Sequence, residues 1–288
     1  MIKFSFEALG TTWWIELFEN NTDKNLDEIK NFVEVFAAVY EKKYSRFLKD
    51  SQISILNRDR SYKNPSPEFV QLLEYGKRLY LRSDTHFNLL LGHILESKGY
   101  DASYSFNATG SIETAGNPIT DLTITPELIE LKHGKVDLGG FGKGYLIDLI
   151  AKELKQALNV EQFLINGGGD MYATHNAGEP ITIFLEHPTK PGTGIAKTTL
   201  TNQGFAASSP HKRVWKNEAG THHHIVSDQL TSDATFIKAA TAADADAFAT
   251  ATLQFTQLQL EQTAKTEQLG VALYDIKTGQ LVSNPSFA

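Results

Sequence analysis

Apolar and polar residues alternate from the start of the chain, and KFSFEALGTTWWIELF at 3–18 predicts a β-strand. The period then lengthens. In DKNLDEIKNFVEVFAAVYEKKYSRF, Leu26, Ile29, Phe32, Val33, Phe36 and Val39 fall on one helix face. A second helix is expected from Ser66-Pro67-Glu68 to about Leu81, with serine as cap and proline at the first helical position. Residues 100–125, rich in Ser, Thr, Asn and Gly, read as a loop with short strands. Val136 and Leu138 read as the end of a strand, after which Leu146, Leu149, Ile150 and Leu154 recur at helical spacing.

Further along, QFLINGGGDMYATH reads as strand, glycine turn, strand, and ITIFLEHP and GIAKTTLTNQGFAASS as more strands. KAATAADADAFATATLQFTQL (238–258) has strong helix propensity, and GVALYDIKTGQLVSNPSF reads as a hairpin turning near Lys277-Thr278-Gly279. Strands and helices are interspersed without regular βα alternation. The pattern predicts an α+β fold with mixed or antiparallel sheets and packed helices. One domain is expected over residues 1–288, with the option of two closely packed subdomains and the site between them.

Composition narrows the function more than the fold. At 288 residues, 41% of them hydrophobic and 21% charged, the chain has an ordinary folded composition and room for a core. A net charge of −7 argues against a nucleic-acid partner, whose binders carry a basic patch. The absence of cysteine excludes disulfides, thiolate metal sites and a cysteine nucleophile. The densest apolar run, FNLLLGHIL at 87–95, falls short of the roughly 18 residues of a membrane span. The N-terminus has no charged region followed by an apolar one, so the chain as given is expected to be cytoplasmic.

Chemistry concentrates where VDLGGFGKGYLIDLI places glycine at 139, 140, 142 and 144, just before a helix. A helix N-terminus with bare backbone suits phosphate. The Walker A pattern fails, because Asp137 stands where its first glycine belongs and Gly144 follows Lys143. G-x-G-x-x-G fails because Gly144 comes one residue early. A close packing corner is the alternative. Asn166-Gly167-Gly168-Gly169-Asp170 alone reads as a tight hairpin. Asp246 and Thr250, at i and i+4, present hard oxygen ligands suited to Mg²⁺, or else Asp244 or Asp246 caps the helix and Thr250 packs. In His222-His223-His224 a zinc pair lacks a third ligand at recognisable spacing, which leaves a single histidine base or a solvated cluster.

In order along the chain, these segments resemble the FAD:protein FMN transferase (ApbE) family. LGTTWWIEL (9–17) resembles its M-G-T-x-W/F opening, and FLKDSQISILNR (47–58) its D-S-E-[IL]-S-x-[IL]-N stretch. VDLGGFGKGYLIDLI is similar to D-L-G-G-[IFV]-[AG]-K-G-[YW]-x-x-D, and LINGGGD (164–170) to [VI]-N-x-G-G-D. HIV (224–226) resembles the start of H-I-I-[DN]-P, and ADAFATA (245–251) resembles A-D-[AG]-L-[AS]-T-A.

The resemblance implies an ApbE-like, T-fold-related architecture and an enzyme that binds FAD with Mg²⁺. Such an enzyme joins FMN through a phosphoester to a Thr or Ser of an acceptor protein carrying a flavinylation motif, and AMP leaves. Hydrolysis of FAD to FMN and AMP, or FAD binding without turnover, are the alternatives within the family. A glycine-rich α+β domain without flavin is the alternative outside it. Carried over, the resemblance gives the metal to the Gly140 carbonyl, Asp246 and Thr250, and the cofactor to Leu9, Phe47, His86, Phe87, Asn88, Asp137, Lys143 and Ile225. His224 becomes the candidate base. The chain departs from the pattern at Asn88 and Leu90, where the family has Asp and Thr. It departs again at Ser227, where the family has Asp, and at Ser209-Pro210-His211-Lys212 in place of S-G-x-Y.

Overall fold

A computed structural model describes residues 2–18, 25–103, 105–107, 113–175, 179–212, 214–217, 220–223, 225–227 and 229–287. The chain opens with β1 (Ile2–Ala8), β2 (Thr11–Leu17), α1 (Leu26–Tyr44), α2 (Gln52–Asp59) and β3 (Ser61–Lys63). It continues through α3 (Pro67–Arg82), α4 (Gly92–Ser97), α5 (Pro118–Asp121), β4 (Leu122–Ile124) and β5 (Leu128–Leu131). Next come α6 (Gly142–Gln156), β6 (Phe163–Gly167), β7 (Asp170–Thr174), β8 (Ile181–Glu186), β9 (Gly194–Leu200) and β10 (Gln203–Ser208). The remainder is β11 (Val214–Asn217), β12 (Gly220–His223), β13 (Ala234–Ala239), α7 (Ala242–Ala251), α8 (Gln257–Thr266), β14 (Gly270–Tyr274) and β15 (Leu281–Ser283). The fold is α+β, as the interspersed pattern predicts.

Contacts divide the chain into two compact units. The first comprises Met1–Glu41, Phe141–Ser209 and Leu230–Ala288; the second comprises Lys42–Gly140 and Pro210–Gln229. The division falls inside α1 and again inside the glycine-rich corner.

The first unit is built on an eight-stranded sheet in the order β1-β2-β6-β7-β10-β13-β14-β15, antiparallel at every pairing. Alternation along a strand sends neighbouring side chains to opposite faces. On β13, Thr235 donates to the Ala249 carbonyl of α7, whereas Ala234 and Phe236 join the cluster containing Ile183, Leu185 and Leu200 of the β8–β9 ribbon. The middle of the sheet is therefore covered on both sides, and all six residues of β13 are buried. Helices α6 and α7 pack on one face and on each other.

The second unit carries a small sheet, β3-β5-β4, against α2 and α3, and the β11–β12 ribbon. Ser66 caps α3 through the Phe69 amide with Pro67 in its first turn, as the sequence predicts.

Several expectations need correction. Residues 3–18 form a hairpin, because Leu9 (φ 51°) and Gly10 (φ 69°) both turn left-handed and return the chain from Ala8 to Thr11. That is the two-residue turn geometry that favours Asn-Gly, and a leucine hides it in sequence. On α1 the buried stripe is Ile29, Val33, Ala37, Tyr40 and Tyr44, while Val39 is 45% exposed.

Residues 136–138 are not the end of a strand. The Asn57 side chain takes both backbone groups of Val136, accepting its N–H at 2.7 Å and donating to its carbonyl at 2.9 Å. The alanine-rich run is not one helix either. Lys238 and Ala239 complete β13, α7 follows, and α8 restarts behind a Thr256–Gln259 capping box. Pairing of Ala239 with Gly204 in the sheet overrides the helix propensity of alanine. Helix α2, capped by Ser51 on the Ser54 amide, is not anticipated by the pattern.

A Cβ on Gly204 would lie 2.4–2.5 Å from the backbone of Thr241 and Ala242, at the entrance to α7. Gly204→Ala is expected to destabilise the protein by at least about 1–3 kcal/mol, as overpacking does. A lowered denaturant midpoint with an unchanged slope checks this.

Candidate active site

The glycine corner is, in part, a packing device. Helix α6 begins after Phe141 without a side-chain cap of its own, so its first amides need acceptors from elsewhere. One acceptor comes from α7: Asp246 Oδ2 accepts the Gly144 N–H at 3.2 Å. That approach requires glycine, because a Cβ at 144 would stand 2.3 Å from the Ala242 carbonyl oxygen. Tyr40 adds a hydrogen bond from its hydroxyl to the Gly142 carbonyl at 3.1 Å.

Beside this contact the Lys143 ammonium pairs with the Asp170 carboxylate and lies 3.5 Å from Asp246 Oδ2. Both carboxylates are buried. Removing the ammonium would leave two buried negative charges, a change that typically costs about 3–5 kcal/mol. Asp246 Oδ1 accepts no hydrogen bond among the described residues, and Thr250 stands one turn further along α7, half-buried. A fixed carboxylate with one oxygen uncommitted and a hydroxyl at i+4 is a donor set that fits a hard divalent cation. Among the described residues no three histidine, aspartate or glutamate side chains gather as a metal site, and the expected set contains only one carboxylate.

A third carboxylate completes the junction. Asp148 of α6 accepts the Ala242 N–H at 2.8 Å and the Ala243 N–H at 2.9 Å, the first two amides of α7. Thr241 caps the next, the Asp244 amide. Burial pushes the Asp148 carboxyl up to about 7; the two amides draw it down, and Asp244 and Asp246 add to the rise.

The Asn166–Asp170 glycines form the plain tight hairpin. Gly168 and Gly169 turn with positive φ, and a Cβ on Gly167 would meet the Trp13 ring at 2.7 Å. What this turn contributes chemically is Asp170.

In the second unit, Arg46 links two of the expected cofactor residues. Its guanidinium lies 4.2 Å from the Phe47 ring centre and pairs with Asp137, whose carboxylate also accepts the Gly139 N–H. It also donates to the Tyr100 carbonyl. The segment holding His86, Phe87 and Asn88 runs beside this cluster, since the Asp137 N–H donates to the Leu89 carbonyl. Asn88 is committed to backbone, donating to Gly116 O and accepting the Leu90 N–H, both at 2.8 Å. His86 Nδ1 lies within hydrogen-bond reach of the Ser83 and Asp84 carbonyls. Phe87 and Ile225 are buried. The Ser227 hydroxyl donates to the Gln229 carbonyl and accepts the Gln229 N–H.

The structure thus brings Lys143 and Asp246 together in the first unit, which also holds Leu9 and Thr250. It joins Phe47 and Asp137 in the second, which also holds Gly140. Leu9 occupies the β1–β2 turn and donates its N–H to Glu41. His224 lies outside the described residues. Sequence reasoning missed Asp148, Asp170 and Arg46 as members of these clusters. The available signal was Gly144, Asp148 and Ala151 at i, i+4 and i+7, one small-residue face of α6 with a carboxylate in it.

With this geometry in place, the relatives are informative. A profile described as the ApbE family matches residues 9–274. The FAD:protein FMN transferase of Haemophilus influenzae is 23% identical over 243 residues, covering 76% of this chain and 68% of that protein. The protein of the same name from Klebsiella pneumoniae is 26% identical, but the match covers 54% of this chain and 50% of the relative. Among solved structures, an ApbE protein from Thermotoga maritima superposes with a TM-score of 0.85 at 18% identity, covering 99% of this chain and 97% of its own. The flavin transferase ApbE from Vibrio cholerae gives a TM-score of 0.80 at 17% identity and the same coverage. These likenesses establish a common fold.

Asp148 sets a pH dependence. Its carboxyl moves from 3.8 to about 7 on folding, so the folded state holds the proton more tightly in that window. The associated stability is complete below the lower value and is lost as pH rises through the upper one. The stability difference between wild type and Asp148→Asn should therefore shift against wild type from pH 4 to 7 and flatten above, as read by urea denaturation at each pH.

Proposed function

Because the chain belongs to the ApbE family, we propose that it is an Mg²⁺-dependent FAD:protein FMN transferase that flavinylates a Thr or Ser of an acceptor protein and releases AMP. The names of its curated relatives support the flavin transfer. The observation that carries the metal and phosphate part is the Lys143–Asp170–Asp246 cluster at the start of α6.

In this reading Asp246, Thr250 and the Gly140 carbonyl would hold the Mg²⁺, which when bound would supply positive charge against that of the pyrophosphate. The chain's own groups do the rest. An exposed helix N-terminus favours an anion by only about 0.3–1 kcal/mol, rising to about 2 when partly buried, so α6 orients the phosphates and does not activate them alone. Lys143 supplies a further positive charge at the same end. The acceptor hydroxyl attacks the FMN-side phosphorus, a new P–O bond forms, and the bridging P–O bond breaks with its electron pair leaving on AMP. His224 is the group assigned to accept the hydroxyl proton, since imidazole titrates near neutrality. Leu9 and Phe47 are assigned to the flavin side, and the His86–Asn88 segment to contacts with the cofactor.

The test is incubation of the purified protein with FAD, Mg²⁺ and a flavinylation-domain acceptor. AMP release is followed together with flavin fluorescence on the acceptor band of a denaturing gel. AMP with a fluorescent acceptor is expected. AMP with free FMN indicates a hydrolase, and bound FAD without AMP a binding protein. Asp246→Ala is expected to abolish turnover while the circular dichroism spectrum stays that of wild type. Undiminished turnover by the folded variant would remove Asp246 from the metal site.

A further inference from the structure

Helices α6 and α7 meet near their N-termini, and each supplies the other's missing acceptor. Asp148, in the second turn of α6, takes the first two amides of α7. Asp246, in the second turn of α7, takes the Gly144 amide in the first turn of α6. Around these bonds small residues bring the backbones close. Gly144 lies against the Ala242 and Ala243 backbone, Gly204 against Thr241 and Ala242, and α7 is mainly alanine. Such surfaces permit close approach but give little resistance to sliding, because alanine and glycine form shallow ridges. Directional hydrogen bonds must set the register.

We propose that Asp148 is a positioning residue: by holding the Ala242 and Ala243 amides it fixes the register of α7 on α6, and so places the Asp246 carboxylate at Lys143 and Gly144. The part of this that concerns cation affinity rests on the metal reading of Asp246. The part that concerns register does not. Asp148 acts on the cluster at a distance, through the first turn of α7.

A local cap and a register device differ at one observable atom. Gly144 N–H is held by Asp246, whereas the recorded hydrogen bonds of Asp148 go to Ala242 and Ala243. In Asp148→Asn one of two carboxylate acceptors becomes a donor facing an N–H group. Amide exchange at Gly144 should then accelerate about tenfold or more, the scale of losing a charge-assisted hydrogen bond. Mn²⁺ affinity, read by electron paramagnetic resonance titration of the full chain, should fall by about the same factor. Faster exchange confined to Ala242 and Ala243, with Gly144 unmoved, would reduce Asp148 to a local cap and overturn the proposal. Unchanged exchange at all three amides would also overturn it.

Should Asp148→Asn not fold, Asp148→Glu keeps the charge and both acceptors but changes the reach. It is expected to preserve protection at Ala242 and Ala243 and to lose it at Gly144; full protection at Gly144 sinks the idea. Wild-type protein that binds no Mn²⁺ removes the metal reading and leaves the Gly144 exchange to decide the register question.

Discussion

Two helix N-termini brought together face an electrostatic difficulty. Each carries roughly half a positive charge and several amides without intrahelical partners, so their convergence in a buried place is unfavourable unless anions intervene. In this protein the anions are built in. Asp148 and Asp246 cross between α6 and α7 in opposite directions, and Asp170 arrives from the turn beside them. Three carboxylates exceed the roughly one unit of positive charge at the two helix ends, and the Lys143 ammonium offsets part of the surplus. The candidate site is the place where this arrangement of charges reaches the first turn of α6.

The arrangement explains a composition that otherwise looks loose. Alanines in α7 and glycines at 144 and 204 are needed because side chains there would keep the helices and the sheet apart. The sheet below is held from its other face by the β8–β9 ribbon, so close contact on the helix side does not leave the strands unsupported. Small residues near the site and bulky ones on the far face of the same strands divide two tasks. One face permits approach of backbones, and the other supplies apolar burial.

Much of the fold is legible in the sequence because it rests on local signals. Ser66-Pro67 starts α3, the Asn166–Asp170 glycines turn a hairpin, and alternating β-branched runs make β8, β9 and β14. What the sequence conceals is whatever depends on a distant partner. Val136 resembles a strand residue, yet a side chain from α2 takes its backbone. Lys238 and Ala239 favour helix but are drawn into a sheet by Gly204 and its neighbours. Leu9 adopts a turn conformation that its residue type does not advertise. In the candidate site, motif resemblance points to Lys143 and Asp246, which do meet. Asp148 shows only as a carboxylate on the small-residue face of α6, and Asp170 and Arg46 carry no periodic or spacing signal of their own, because these roles exist only once separate segments are packed.

Arg46 also changes what Asp137 can mean. A free carboxylate two residues before Gly139 would repel any incoming anion from the corner's backbone amides. Here the carboxylate is already occupied by a nearly buried guanidinium and by the Gly139 N–H. The Asp137 charge beside Gly139 is thereby offset in place. A phosphorylated ligand arriving at Gly139 would not meet a free Asp137 charge.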